Sequence, residues 1–254
     1  MEVEARNHRQ IEMLNQRGGR TLSIVDLIRA GTISVEMAAY AMRAVDRGAS
    51  ILTGAVPGGA GKTTLMAALL GFLPPDVPIV TVDRPELIAD GLRRDSERAA
   101  CYLVHEIGSG HWYGYLWGRH VAEYLRLIDG PRRIASCLHA DTLEELTAIL
   151  CSAPLHVRPA DLGRVNLVLF MHVDRASGAI RRRVAAFHEA EGDGRHRLRF
   201  RWDERADRFE TVGELPDAGE LAPYREFLAG LVARNEFEGQ AVRRRVIEFY
   251  RTRP

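Results

Sequence analysis

The chain has 254 residues, of which 46% are apolar, enough for one large domain with a packed core. Its 35 basic and 34 acidic residues leave a net charge of +1, so no overall field favours nucleic acid or an anionic membrane. The three cysteines lack CxxC spacing, which argues against a disulfide framework or zinc site and favours a reducing cytoplasm. The charged amino terminus is unlike a signal peptide, and no stretch reaches the ~20 apolar residues that a membrane span needs.

The segment before residue 50 contains a polar region and two helical patterns. Residues 1–20 are polar and end in a Gly18-Gly19 turn, so we expect a polar arm rather than a folded domain. Apolar residues recur at helical spacing over residues 22–30 and 34–47, and glycine follows each pattern. These patterns predict two short helices, the second capped by Ser34, at the start of a core domain over residues 21–215.

From residue 50 short apolar runs alternate with helical patterns. The runs cover residues 51–55, 78–83, 101–106, 134–139 and 165–173, and the helical patterns cover 62–72, 114–128 and 142–151. This alternation predicts an α/β domain with a mostly parallel sheet, helices on both faces, and ligands at the carboxyl ends of the strands. Residues 181–191, 196–202 and 208–212 predict an antiparallel extension, and residues 216–254 a C-terminal helical appendage.

The segment TGAVPGGAGKTT, residues 53–64, lies between a predicted strand and a predicted helix, the setting of a phosphate-binding loop or Walker A motif. Glycines let backbone amides converge on an anion, and the start of the helix adds the positive end of its dipole. Lys62 is expected to reach the β- and γ-phosphates, and the Thr63 hydroxyl to ligate Mg²⁺. The predicted nucleotide-binding residues are Pro57, Gly58, Gly59, Ala60, Gly61, Lys62, Thr63 and Thr64.

Two details of this loop stand out. Lys62 is the only lysine of the chain, all other basic residues being arginines. Because a planar guanidinium cannot replace a slim ammonium in a tight ring of amides, this exception favours a functional role. The usual pattern has glycine at the position of Val56; if that residue needs a positive φ, valine resists it by ~1 kcal/mol or more. Gly54, two residues earlier, is a candidate for compensating.

Four blocks of sequence flank or follow the loop in a characteristic order. They are residues 21–40, residues 71–86 with the run IVTVDRPE, residues 102–107 (YLVHEI) and residues 136–145 (SCLHADTLEE). In this order the chain resembles the motor ATPases of type II and type IV secretion systems and pili, of the CpaF, PilT and GspE kind, over roughly residues 20–215. Such relatives usually carry an extra amino-terminal domain, whereas this chain begins almost directly at the core.

The resemblance implies a RecA-like P-loop ATPase that hydrolyses ATP with Mg²⁺. It also implies a homo-oligomer, a hexameric ring, that drives a secretion or pilus machine; no nucleic-acid partner is expected. The chain would then be cytoplasmic and peripheral at the inner face of the membrane, with a membrane-bound secretion or pilus complex as its partner.

The resemblance further assigns roles to three side chains that follow predicted strands. Asp83 would position or activate the attacking water, Glu106 would hold Mg²⁺ or its water in the place of the Walker B glutamate, and His139 would sense the γ-phosphate. Relatives usually have glutamate and aspartate where this chain has Asp83 and Arg84, and arginine where it has Gly108. Each of the three side chains also has a structural interpretation, as a strand-end carboxylate or a hydrogen-bonded histidine.

Arginine and aromatic side chains lie near these blocks. ATPases that act between subunits bring an arginine to a neighbour's γ-phosphate, and the candidates are Arg93, Arg94 and Arg98, although exposed surface arginines are the simpler interpretation. The aromatic insertion GSGHWYGYLW at residues 108–117 is interpreted as a mobile lid, an interface or a surface loop folded over a helix.

Two other functions stay open at this stage. The lack of an extra domain, Val56 and the Asp83-Arg84 pair all favour a stand-alone nucleotide-dependent switch or regulator with slow or no hydrolysis. The third interpretation is a scaffold in which the loop binds phosphate only structurally. Nucleotide binding and turnover separate the three.

Overall fold

A computed structural model describes residues 2–15, 18–93, 98–175, 180–215 and 218–252. In chain order its elements are α1 (Glu2–Met13), α2 (Ile24–Arg29), α3 (Val35–Asp46), β1 (Ile51–Gly54), α4 (Lys62–Leu70), β2 (Ile79–Thr81), α5 (Glu86–Arg93), β3 (Ala100–Leu103), β4 (Glu106–Ile107), β5 (Tyr115–Leu116), α6 (His120–Leu125), β6 (Arg132–Leu138), α7 (Leu143–Cys151), α8 (Pro159–Leu162), β7 (Leu167–Asp174), β8 (Arg181–Ala190), β9 (His196–Asp203), β10 (Arg208–Thr211), α9 (Ala218–Ala233) and α10 (Gly239–Thr252). Within these residues no helix is both long and apolar enough to cross a bilayer.

The strands form one sheet in the order β10-β9-β8-β7-β1-β6-β3-β2. The five strands from β7 to β2 are parallel to their neighbours, whereas β8, β9 and β10 continue the sheet in antiparallel pairs beyond β7. The short strand β4 pairs with β6 and with β5 on a side branch. The predicted mostly parallel sheet with an antiparallel extension is confirmed.

Side-chain alternation places two hydrophobic cores on opposite faces of the sheet. On β1, Ile51 belongs to one cluster and its neighbour Leu52 to the other, as the two-residue period of a strand requires. The first cluster includes side chains of α2, α3, α4, α9 and α10, and the second those of α5, α6, α7 and α8. Helices therefore cover both faces, as predicted.

Side-chain caps fix where several helices begin. Ser34 accepts a hydrogen bond from the Met37 amide and caps α3, as predicted. Thr142 caps α7 through the Glu145 amide in the same way. An uncapped first turn leaves backbone amides without partners, so each cap sets the start of a helix and the exit direction of the preceding loop.

The amino-terminal residues correct one expectation. Instead of a polar arm, Glu2–Met13 form helix α1 beside β2, the last strand of the sheet. Its Asn7 is buried, and the side chain donates to Val77 O at 2.9 Å and accepts from Ile79 N at 2.7 Å. An edge strand exposes unpaired backbone groups, and a polar side chain satisfies them here. Because the docking contact is polar, hydrophobic periodicity gave no sign of it.

A second expectation was also wrong. Residues 114–128 were predicted as one helix, but they form β5 and then the short helix α6. Gly114 and Gly118 have φ values of 74° and 72°. These left-handed conformations interrupt a helix, and glycine adopts them without steric cost.

The first prediction concerns the docking of α1. We expect Asn7→Ala to destabilise the fold by about 2–4 kcal/mol, because the Val77 carbonyl and the Ile79 amide both lose a buried partner. Urea unfolding measures the loss. The matched control Asn15→Ala removes the same side chain from an exposed site, where it donates to Gly19 O, and should cost less than about 0.5 kcal/mol. Equal losses in the two variants would contradict the docking role.

The second prediction concerns acid stability. Burial, followed by the nearby His196, lowers the pKa of His188 on β8 to about 4 from its ordinary value of 6.5. Between these values the unfolded chain binds more protons than the folded chain, so the free energy of unfolding falls as the pH falls from 6.5 towards 4. We expect His188→Phe, which keeps a ring against Phe170, to flatten that decline in urea unfolding measured across this pH window. An unchanged slope would show that His188 does not titrate in this way.

Candidate functional site

The phosphate loop occupies the centre of the carboxyl end of the parallel sheet. It runs over residues 55–61 from β1, which lies between β6 and β7, to the first residue of α4. Gly59 and Gly61 have φ values of 79° and 102°, a region that side chains resist, and Gly61 is the N-cap of α4 without any side-chain cap. Among the described residues no acceptor is found for the amides of Gly58, Gly59 and Ala60. The loop therefore offers backbone donors at a helix start, the physical basis of an anion site.

The backbone at the start of the loop shows whether residue 56 needs a positive φ. Val56 does not have a positive φ, unlike His156 and two other non-glycine residues of the described chain. Its side chain is 49% exposed, so nothing forces it into strain. The steric demand lies at Gly54, where a Cβ atom would stand 2.6 Å from Ala140 O and 2.7 Å from Phe170 Cδ1. Glycine is required at residue 54 by crowding between β6 and β7, and valine is accommodated at residue 56.

Lys62 is buried and folds back onto its own loop. Its Nζ donates to Ala55 O at 2.7 Å, and its carbonyl accepts from Thr53 Oγ1 at 3.2 Å. The same Nζ lies 3.3 Å from Nδ1 of His139. The ammonium thus stands at the mouth of the loop, where the Ala55 carbonyl holds it.

His139 links the loop to Glu106. Its Nδ1 lies 2.8 Å from Val56 O, and because a carbonyl only accepts hydrogen bonds, Nδ1 carries the proton. The contact with Lys62 is therefore between two donors and is not a hydrogen bond. The opposite nitrogen, Nε2, lies 3.4 Å from Glu106 Oε1. The structure brings Lys62, His139 and Glu106 together, three of the four residues predicted as catalytic.

Thr63 and Glu106 approach the same thiol, that of Cys137 near the end of β6. Thr63 Oγ1 lies 3.8 Å from Cys137 Sγ, which donates to His105 O at 2.9 Å. Burial, and then the charge of Glu106, raises the pKa of Cys137 to about 12, so it stays a neutral thiol. The Thr63 hydroxyl and the Glu106 carboxylate are oxygen donors of the kind that Mg²⁺ takes while keeping water and phosphate as its other ligands. That Thr63 and Glu106 hold Mg²⁺ stays a prediction.

Sequence reasoning missed the side chains that hold the backbone of the loop. The Val56 amide donates to Asp141 Oδ1 at 2.6 Å, so a carboxylate occupies the first loop donor. From the other side, Arg175 Nη2 donates to Gly58 O at 3.2 Å and Arg182 Nε to Gly59 O at 2.9 Å. Asp141 lies two residues after His139 and could have been found from that spacing, but the arginines have no local signal.

Asp83 and the candidate arginines lie apart from this group. Asp83 follows β2, three strands from β1, which is about 14 Å at the usual strand spacing. Its carboxylate pairs with Arg84 at 3.2 Å. Arg93 pairs with Asp90 at 2.5 Å, Arg98 is exposed, and Arg94 lies outside the described residues. Within the described part of the chain no hydrogen bond or ion pair joins Asp83, Arg93 or Arg98 to the loop.

The aromatic insertion covers a buried histidine. Trp112 is 70% exposed, whereas the Tyr113 ring meets His105 edge-on with 5.4 Å between centroids. Gly114 allows this packing, since a Cβ there would stand 2.6 Å from the His105 ring. Burial lowers the pKa of His105 to about 4, so it is neutral at physiological pH. The insertion includes β5, which pairs with β4 at Glu106 and Ile107, and its Tyr113 packs on His105.

The third prediction tests the crowding at Gly54. We expect Gly54→Ala to destabilise the fold by about 1–3 kcal/mol, because the added methyl overlaps Ala140 O and the Phe170 ring. Gly58→Ala is the matched control: its Cβ would meet no atom within 4 Å, and its φ is not positive. Thermal unfolding of both variants measures the difference, and a Gly54→Ala protein as stable as the Gly58→Ala protein would rule out the steric requirement.

Comparisons with known proteins give distant similarity. No protein-family model matches this chain. Uncharacterized protein MJ0900 of Methanocaldococcus jannaschii is 25% identical over 214 residues, covering 76% of this chain and 39% of that protein. The VirB11 ATPase of the Brucella suis type IV secretion system, in complex with sulphate, is 18% identical with a TM-score of 0.43, covering 72% of this chain and 55% of that one. The Legionella pneumophila ATPase DotB is 12% identical with a TM-score of 0.40, covering 78% and 56%. The chain spans about two fifths of the curated relative and just over half of each solved structure.

Proposed function

We propose that this chain binds ATP with Mg²⁺ on residues 55–64 and hydrolyses it. One observation carries the proposal: the single lysine of the chain lies at the mouth of a glycine loop. Its Nζ is 3.3 Å from His139, whose other ring nitrogen is 3.4 Å from Glu106. The loop lies between a central parallel strand and a helix start, where ligands of such sheets bind. The four sequence blocks that resemble secretion and pilus ATPases support the same activity.

Binding would use groups that are already in place. The amides of Gly58, Gly59 and Ala60, together with the first turn of α4, are donors for phosphate oxygens. Lys62 would exchange its hydrogen bond to the uncharged Ala55 O for bonds to negatively charged phosphate oxygens, which attract the ammonium more strongly. The exchange favours a polyphosphate over an uncharged ligand.

Hydrolysis would use the side chains of Thr63, Glu106 and His139 beside the loop. Thr63 and Glu106 would hold Mg²⁺, which neutralises charge on the phosphate oxygens. Glu106 also has the position to orient a water molecule, and His139, fixed by Val56 O, would contact the terminal phosphate. Asp83 is proposed, from the resemblance alone, as a second group that acts on the attacking water. Its position after the outermost parallel strand places it apart from Lys62.

The wider role is proposed from the sequence blocks. Following the resemblance, the chain would assemble as a homo-oligomeric ring, a hexamer, and convert hydrolysis into movement of a secretion or pilus machine. It would work in the cytoplasm, at the inner face of the membrane. Light scattering with and without a nonhydrolysable nucleotide tests the ring, since a monomer under both conditions would exclude it.

A second function is favoured by specific contacts. Asp141 occupies the Val56 amide, Lys62 is held by Ala55 O, and Asp83 lies apart from the loop. Internal partners for the Val56 amide and for Lys62, together with a distant acidic group, suit a nucleotide-dependent switch with slow or no turnover. Such a protein would bind ATP as tightly as the motor but release little phosphate.

The fourth prediction tests the lysine. We expect Lys62→Ala to weaken ATP binding by about 10- to 100-fold, the value of a lost charge-assisted hydrogen bond, and to abolish phosphate release. Lys62→Arg keeps the charge and should also fail, because the wider guanidinium does not fit the loop. Calorimetric titration and a phosphate-release assay are the measurements, with thermal unfolding to verify the fold.

The outcomes separate the candidate functions. Turnover in the natural protein that is lost in Lys62→Ala supports the ATPase. Binding without turnover supports the switch. Folded protein that takes up no nucleotide with magnesium present would leave only the scaffold.

A further inference from the structure

Three consecutive arginines on β8 have different partners. Arg181 pairs with Asp174 at 2.5 Å and with Asp207 at 3.5 Å, and Arg183 pairs with Asp207 at 2.8 Å. Alternate residues of a strand point to opposite faces, so Arg182 leaves the sheet on the other side. Among the described residues no carboxylate pairs with Arg182. Its positive charge is therefore the one in this run that an acid does not balance.

Arg182 lies over the phosphate loop. Its Nε donates to Gly59 O at 2.9 Å. The aliphatic part of the Arg182 side chain lies beside Gly61, because a Cβ on Gly61 would stand 3.3 Å from both Arg182 Cδ and Met171 Cε. Glycine is favoured at residue 61 by its φ of 102°, and a side chain there would press on Arg182 and Met171. The side chain crosses the loop where the backbone turns into α4.

The remaining donors of this guanidinium have no acceptor. Arginine carries five N–H groups, and Gly59 O takes one of them. Within the described residues the other four have neither a hydrogen-bond nor an ion-pair partner. The residue is half-buried, and these donors lie beside a loop whose Gly58, Gly59 and Ala60 amides have no acceptor among the described residues.

We propose that Arg182 is a ligand of the polyphosphate on this loop, supplied by the same chain as Lys62; the inference rests on the proposed nucleotide binding. A guanidinium presents a planar fork that matches two phosphate oxygens, which complements the point charge of the lysine ammonium. The bond from Nε to Gly59 O holds the fork beside the loop, so little rotamer freedom is lost on binding. Arg182 lies on β8, on the side of β1 opposite to His139 and Glu106.

The test compares Arg182→Gln with Arg183→Gln, its neighbour on the opposite face. We expect Arg182→Gln to bind a nonhydrolysable ATP analogue and inorganic tripolyphosphate about 10- to 100-fold more weakly than the natural protein, the loss of a charged hydrogen bond. Arg183→Gln should stay within about threefold of it, because the Arg183 side chain leaves the strand on the other face and pairs there with Asp207. Because Arg182 would act by charge, the affinity of Arg182→Gln should also fall less steeply with salt.

A second variant separates a ligand from a structural clamp. Arg182→Lys keeps the charge but loses the fork, so it should recover part of the lost affinity and the steep salt dependence. If Arg182→Gln fails to fold, as judged by thermal unfolding, Arg182→Lys alone carries the test and should bind tripolyphosphate more weakly than the natural protein.

Several results overturn the inference. Unchanged binding by the Arg182 variants does so, as does a loss that is equal for Gln and Lys and the same at every salt concentration, which indicates a clamp on Gly59 O. In both cases the natural protein still binds nucleotide and the proposed function stands. If the natural protein binds neither probe, the proposed function fails and the inference fails with it.

Discussion

The pairing of β1 with β6 on one side and β7 on the other fixes where every group of the candidate site lies. Because all three strands are parallel, their carboxyl ends meet, and the loops that leave them share one small region. Gly54 ends β1 between Ala140 O and Phe170, one group from each neighbouring strand or its following loop. No side chain fits at that point. The backbone of the phosphate loop therefore starts from a position that the sheet itself imposes.

Groups of the loop region that favour an anion are held by internal hydrogen bonds. Asp141 takes the Val56 amide, the Ala55 carbonyl takes the Lys62 ammonium, and the Gly59 carbonyl takes one donor of Arg182. Lys62 and Arg182, which favour an anion, are each bonded to an uncharged carbonyl. The Val56 amide is bonded to the Asp141 carboxylate of the same chain. An incoming phosphate chain would compete with these partners at once. The free energy of binding is then the difference between two sets of hydrogen bonds.

Much of the fold could be predicted because its signals are local. Strand and helix periods identified the α/β order, and the spacing of Lys62, Glu106 and His139 after predicted strands placed them at one end of the sheet. The order of strands across the sheet is not local, so the separation of Asp83 from the loop was not predicted. Asn7 docks α1 through polar contacts that leave no hydrophobic stripe. The arginine on β8 reaches the loop across more than 120 residues of sequence, and only the folded sheet reveals that contact.

Strand β8 connects the phosphate loop with the amino-terminal helices through adjacent residues. On one face Arg182 contacts Gly59 O; on the other Arg183 donates to Ala30 O, and a Cβ on Gly31 would lie 3.4 Å from its guanidinium. The next residue completes the link, as its amide donates to Thr32 O at 2.8 Å. Neighbouring residues of a paired strand cannot move independently, because the ladder holds both. Arg182 at the loop and Arg183 at the turn between α2 and α3 are therefore held by the same pairing of β8 with β7. The antiparallel extension is in this way more than an addition to the sheet, since its first strand contacts both the phosphate loop and the turn between α2 and α3.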